Sequence, residues 1–107
     1  MHERAAVADA VEAVNARAHG ARVAAVSLET GPGVEPEHVA QYWRELSVGT
    51  PAAGATLSFG QALDELTCLG CANSYRGVEL DPCPRCGADG LVVVPAPEVA
   101  VRSVDLA

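Results

Sequence analysis

Four cysteines lie in one short segment, grouped as two C-x-x-C pairs. They are Cys68, Cys71, Cys83 and Cys86. Each tight C-x-x-C turn brings two sulfurs within bonding distance of one ion, and the intervening segment 72–82 lets the two turns face each other. The spacing therefore predicts a tetrahedral metal site with four thiolate ligands.

Zinc is the expected occupant of this site. A closed shell of four thiolates leaves no open position for catalysis, so the ion is expected to be structural. Two alternatives stay open. A rubredoxin-like iron site uses the same turns, and the stretch "CPRCG" would suit one, whereas two disulfides would need an oxidising compartment.

A second possible metal site lies at the start of the sequence, in Met1-His2-Glu3. The α-amine, the amide nitrogen of His2 and its imidazole can form two fused chelate rings, and Glu3 can add a backbone amide or carboxylate. A planar, nitrogen-rich donor set of this kind suits Ni(II). The alternative is an ordinary helix start, with Glu3 favoured at the positive end of the helix dipole. His19, in the last turn of the first predicted helix, and His38, in the first turn of the second, are expected to be ordinary surface residues.

The elements that must position these groups follow from hydrophobic periodicity. Apolar residues recur at helical spacing in a first helix that Gly20 ends, and again in "EHVAQYWRELSVG", while "ARVAAVSLET" and "ATLSFG" alternate like strands. The sequence predicts an α+β fold, with two helices packed on a small three-stranded sheet and an inserted four-cysteine zinc-ribbon subdomain. The expected boundaries are 1–62 with 97–107 for the α/β domain, which would carry the nickel site, and 63–96 for the ribbon.

The last predicted strand, "EVAVRSVDL", changes phase. The apolar pair Val99 and Val101 gives way to Val104 and Leu106, which a single flat strand does not allow. A bulge near Arg102 would explain the change, and so would a strand that leaves one packing partner and joins another. The second explanation is favoured here, with pairing first to the cysteine subdomain and then to the main sheet.

Composition limits the classes of function. The chain has 107 residues, and seven arginines without lysine face 14 acidic residues, for a formal net charge of -7. Such an acidic chain has no electrostatic footprint for nucleic acid. No run approaches the ~18 apolar residues of a membrane span, and the start lacks the pattern of a signal peptide. A cytoplasmic, non-membrane protein is expected, and a reducing compartment favours metal ligation over disulfides.

Taken together, several stretches resemble one known family. They are Met1-His2-Glu3, "VAAVSLETG", "EPEHV", "GTPAAGATL", both cysteine pairs with "CPRCG", and "EVAVRSVDL". In this combination and order the sequence resembles the HypA/HybF family, the nickel-insertion proteins of [NiFe]-hydrogenase maturation. The resemblance covers essentially the whole chain.

The resemblance implies roles for individual residues. The four cysteines match the family's structural zinc ligands, His2 matches its essential nickel ligand, and Glu3 matches the neighbour of that ligand. It also implies a GTPase partner, delivery to the large subunit of [NiFe]-hydrogenase, and service to urease maturation proteins in some bacteria. The chain would then be a nickel metallochaperone with no catalytic step. The alternatives are a zinc-ribbon interaction or regulatory module that has lost nickel transfer, and an enzyme with an open N-terminal metal.

Overall fold

The computed structural model describes residues 2–78 and 80–107, with only the backbone of His2, so Met1 and Glu79 lie outside the description. Two helices and two three-stranded sheets form an α+β fold, which confirms the predicted class. In chain order the elements are α1 (His2–Ala18), β1 (Val23–Thr30), α2 (Pro36–Leu46), β2 (Thr56–Gln61), β3 (Asp64–Cys68), β4 (Ser74–Gly77), β5 (Gly90–Val94) and β6 (Val99–Leu106).

Helix α1 buries the apolar stripe that its sequence predicts. The stripe consists of Val7, Ala10, Val11, Val14 and Ala18, all of them buried. The helix ends at Ala18, and His19 and Gly20 follow in left-handed conformations with φ of 49° and 85°. His19 therefore lies just beyond the helix and not in its last turn. Gly20 adopts the left-handed geometry at low steric cost, as expected of a residue that ends a helix.

The first sheet has the strand order β2-β1-β6. Strands β1 and β2 are parallel, so the connection between them must cross over the sheet, and α2 makes that crossing. Helix α2 begins with Pro36, whose fixed φ suits the first helical position. It buries Val39 and Trp43, and the Trp43 indole N–H donates to the carbonyl of Ala52 at 3.2 Å. This core holds both helices against the sheet.

Strand β6 pairs with β1 along its whole length, from Val99 opposite Thr30 to Leu106 opposite Val23. The expectation that it first pairs with the cysteine subdomain is therefore wrong. The register shifts so that Arg102 is the extra residue, which is the bulge that the change of phase also allowed. An extra residue reverses the alternation of faces, and this accounts for the change of phase.

The second sheet has the order β4-β3-β5, and its central strand β3 ends at Cys68, the first residue of the first cysteine pair. Hydrogen bonds mark where the chain enters and leaves it: Ala62 N–H donates to the Thr30 carbonyl at 2.8 Å, and Ala96 N–H donates to Asp64 Oδ1 at 2.6 Å. The division of the chain into two domains at these points stays a prediction. Within the described ranges, no helix has the length and apolar character needed to cross a membrane.

Candidate metal centres

The first cysteine pair is held by a tight turn at the end of β3. The carbonyl of Cys68 accepts a hydrogen bond from Ala72 N–H, and Ala72 has a φ of 62°. Within the turn, the N–H groups of Gly70 and Cys71 point at the Cys68 sulfur, at 3.3 and 3.4 Å. A Cβ on Gly70 would lie 3.0 Å from the Cβ of Ala88, a tight approach that favours glycine at this position. These donors stabilise a thiolate at Cys68.

The second pair uses an equivalent turn. Gly87 N–H donates to the carbonyl of Cys83 at 2.8 Å, and Gly87 has a φ of 77°, which favours glycine. The Cys83 sulfur accepts a hydrogen bond from Arg85 N–H at 3.4 Å. Asn73, from the other turn, donates its side-chain N–H to the same sulfur at 3.8 Å. This side-chain hydrogen bond therefore links the two turns, in addition to the close approach of their sulfur atoms.

All four sulfur atoms lie within 4.8 Å of one another, and all four cysteines are free thiols. Across the two turns, Cys68 Sγ lies 3.4 Å from Cys86 Sγ, and Cys71 Sγ lies 3.8 Å from Cys83 Sγ. A tetrahedral zinc ion with Zn–S bonds of about 2.3 Å would set its sulfurs about 3.8 Å apart. The four-cysteine cluster therefore fits a structural zinc site, as the spacing predicts.

The pKa values of the cysteine thiols indicate that a bound cation would stabilise the cluster. Burial raises the pKa of Cys83, but the backbone N–H groups of Cys86 and Arg85 outweigh burial and lower that pKa to about 6. The Ala88 N–H lowers the pKa of Cys86, but the neighbouring thiols, Cys68 first among them, outweigh it and raise that pKa to about 12. Four adjacent sulfurs cannot all ionise unaided, and a dication would remove this conflict.

The predicted nickel site is described in part. Met1 and the side chain of His2 lie outside the described residues, so their assignment as nickel ligands stays a prediction. Helix α1 begins at His2, and the first N–H groups of a helix have no acceptor within the helix. The carboxylate of Glu3 is described. It lines an open cleft of about 610 Å³ whose other walls are the loop 32–34, His38, Tyr42 and Glu98.

Sequence reasoning did not identify His38 as part of this cleft. His38 is exposed and lies in the first turn of α2, as expected, but its Nδ1 lies 3.9 Å from Glu3 Oε2. Positions 3 and 38 sit on different helices, and no local spacing relates them. The helical phase of each residue shows which face of its helix it occupies. Finding the pair would also require the packing angle of α1 on α2, and the sequence does not fix that angle.

The cleft is braced by the loop after β1. Gly31 N–H donates to the carbonyl of Glu98 at 2.9 Å, and Gly31 accepts from Val34 N–H at 3.2 Å. A Cβ on Gly31 would lie 2.6 Å from the carbonyl oxygen of Pro97, so glycine is required for this close approach. The hydrogen bond fixes the position of the Glu98 backbone beside the cleft that Glu3 lines.

A family model described as "Hydrogenase/urease nickel incorporation, metallochaperone, hypA" matches residues 1–106. The chain belongs to the HypA family. The resemblance noted from the sequence is thereby confirmed over nearly the whole chain.

Known HypA proteins agree in length and fold. The hydrogenase maturation factor HypA of Geobacter sulfurreducens is 36% identical over 109 residues, covering 99% of each chain. That of Geobacter metallireducens is 34% identical with the same coverage. The solution structure of the Ni metallochaperone HypA from Helicobacter pylori matches with a TM-score of 0.70 at 14% identity, covering 97% of this chain and 96% of that chain. At that identity the structural match speaks for the fold alone.

Membership in the HypA family accounts for two metals, nickel and zinc. The family is one of nickel metallochaperones for hydrogenase maturation, so nickel is cargo. The four-cysteine cluster fits the structural zinc. Its sulfurs are all engaged by one ion in such a site, which leaves the cluster without an open coordination position.

Proposed function

We propose that this protein binds Ni(II) at its N-terminus and delivers it for [NiFe]-hydrogenase maturation, working with a GTPase partner. The observation that carries the proposal is the start of α1 at His2, with the Glu3 carboxylate lining an open cleft, in a chain of the HypA family. Nickel would bind where the first backbone amides of a helix are free of intrahelical hydrogen bonds.

The donor set would combine the Met1 amine with the amide nitrogen and imidazole of His2. Together these three nitrogens form two fused chelate rings in one plane. Glu3 would supply the fourth donor, through its amide or its carboxylate. Nickel(II) gains from such a planar arrangement, whereas Zn²⁺ has no geometric preference from its d-electrons. This difference would separate the cargo metal from the structural one.

A cation at a helix N-terminus opposes the positive end of the helix dipole. Two features of the site would offset this unfavourable interaction. Each backbone amide that binds the metal loses its proton, which lowers the positive charge at the site. In addition, the Glu3 carboxylate contributes a full negative charge, and the positive charge of the adjacent Arg4 is paired with Glu45 at 3.0 Å.

In this function the protein is a carrier and performs no catalysis of its own. The energy for transfer would come from GTP hydrolysis by the partner, and the receiver would be the large subunit of [NiFe]-hydrogenase. Urease maturation proteins are further candidates, because the family description names both hydrogenase and urease. The reducing cytoplasm would keep the four thiols available for zinc.

Calorimetry with nickel on protein carrying its native N-terminus tests the proposal. The variants are a chain extended by Gly-Ser before Met1, His2→Ala, and His19→Ala as a matched control. The extension converts the α-amine into an amide and changes the ring sizes, so it should weaken nickel binding strongly, as should His2→Ala. His19→Ala removes an imidazole beyond the end of α1 and should bind nickel like the native chain.

One result would overturn the chelate. If the extended chain binds one nickel as tightly as the native chain, the α-amine is not a ligand. Zinc content and helical circular dichroism of every variant should match those of the native protein, because the four cysteines and the core of α1 are untouched. Loss of zinc together with nickel would show general unfolding.

A further inference from the structure

The cleft beside the start of α1 contains an imidazole that the nickel site as proposed does not use. His38 Nδ1 and Glu3 Oε2 lie 3.9 Å apart, which is too far for a hydrogen bond. First-row divalent ions bind imidazole nitrogen and carboxylate oxygen at about 2.0–2.2 Å. Two such atoms bound to one ion at a right angle lie about 3 Å apart, so one ion can contact both atoms once the two side chains approach each other by about 1 Å.

A second observation concerns charge in the same cleft. The Oε2 atom of Glu98 is buried and has no hydrogen-bond partner among the described residues. Glu98 lines the cleft together with Glu3 and His38, and it also borders the neighbouring cleft beneath α1. A buried carboxylate oxygen without a partner is costly, and a nearby cation or a donor bound to that cation would offset the cost.

We propose that His38 is a further nickel-binding residue, whose imidazole joins the Glu3 carboxylate on the metal, while Glu98 offsets the metal's charge from beside the site. The inference rests on the proposed N-terminal nickel site and extends it by one ligand from α2. Glu98 acts through its charge and is not assigned as a ligand of the metal.

The exposure of His38 suits a carrier. Its side chain is 61% exposed, whereas that of Glu3 is 32% exposed. A ligand at the solvent side of the cleft can meet an arriving ion first and can swing away when a receiver competes for it. An extra nitrogen donor outside the plane would also raise the coordination number above the four of a planar site.

X-ray absorption at the nickel edge and calorimetry on untagged protein test this directly. Native protein should show two imidazoles per nickel, and His38→Ala and His38→Gln should each show one. Both variants should weaken nickel binding about tenfold or more, since even the loss of a residue that only orients a metal ligand typically costs about 10–100-fold in affinity. They should also shift bound nickel toward the diamagnetic planar form, which magnetic susceptibility detects. His19→Ala is the matched control and should behave as native.

The outcomes separate this inference from the proposed function. If His38→Ala retains the native affinity and imidazole count while His2→Ala abolishes binding, the role of His38 is refuted and the N-terminal chelate stands. If His2→Ala binds nickel as the native chain does, the N-terminal chelate itself is refuted, and the present inference falls with it. Glu98→Gln should weaken binding without changing the imidazole count, and a changed count would contradict its assigned position beside the site.

Discussion

Asn15 on α1 accepts a hydrogen bond from the backbone N–H of Ala52 at 3.0 Å, across 37 positions of sequence. The carbonyl of the same Ala52 accepts the indole N–H of Trp43 from α2. The backbone N–H and the carbonyl of the fully buried Ala52 are therefore both hydrogen-bonded to side chains, one from each helix. The turn before β2 is fastened to both helices through this one residue.

Asn15→Ala should lower the free energy of unfolding by about 1–2 kcal/mol, because it leaves a buried N–H without an acceptor. Urea unfolding followed by circular dichroism would measure the loss. Glu12→Ala is the matched control, since Glu12 is exposed on the same helix and should change stability by less than about 0.5 kcal/mol. Equal stability of the two variants would show that water replaces the Asn15 contact.

Cys68→Ser and Cys83→Ser should each abolish tight zinc binding and disorder the segment 63–96. The helices should stay folded, because their core residues come from the segments outside the ribbon. Metal analysis and far-ultraviolet circular dichroism would follow the two effects separately. Leu69→Ala, an exposed neighbour of Cys68, should retain its zinc. Loss of helical signal in parallel with zinc would contradict the predicted division into two domains.

Zinc binding should release protons, and the affinity should rise with pH. Near pH 7 the zinc-free protein keeps the proton of Cys86, whose pKa is about 12, and has largely lost that of Cys83, whose pKa is about 6. Zinc binds the deprotonated thiolates, so the zinc-bound state holds fewer protons than the zinc-free state. Below pH 6 Cys83 also takes up a proton, and zinc binding weakens further.

Calorimetric titrations in two buffers of different ionisation enthalpy would count these protons. About one to three should be released per zinc near neutral pH. A count of zero at pH 7 would contradict the raised pKa of Cys86. The count should increase as the pH falls toward 6.

Gly31→Ala should destabilise the protein by roughly 1–3 kcal/mol, because its Cβ would lie 2.6 Å from the Pro97 carbonyl oxygen. Thermal unfolding would measure the effect. Gly60→Ala is the matched control, since its Cβ would meet only Glu29 Cγ at an ordinary 3.8 Å. If both variants unfold at the same temperature, the close approach of the two loops is not required.

Local patterns predicted the parts of the fold that depend on neighbours in sequence. The buried stripe of α1 follows from helical spacing, and the convergence of the four sulfurs follows from two C-x-x-C turns. The change of phase around Arg102 also predicted an irregular strand. Deciding between a bulge and a change of partner required knowing which strand β6 pairs with. One strand cannot report which sheet it joins.

Contacts between distant positions left no such pattern. Asn15 lies outside the apolar stripe of α1, yet it accepts a hydrogen bond from Ala52 N–H, and His38, which is expected to be an ordinary surface residue, lies beside Glu3. Both contacts depend on how α1 packs against its neighbours. Helical periodicity determines which residues share a face of the helix, but it does not determine which polar groups of other elements pack against that face.

The pairing of β1 with β6 also sets an order of events during synthesis. Strand β6 follows the whole cysteine segment in sequence, whereas its partner β1 precedes that segment. All four cysteines are therefore synthesised before the antiparallel neighbour of β1, and before the residue Glu98 that the Gly31 N–H holds beside the cleft. The four zinc ligands thus all precede β6 in the chain, whereas the cleft at the start of α1 is complete only once Glu98 and β6 have joined the sheet.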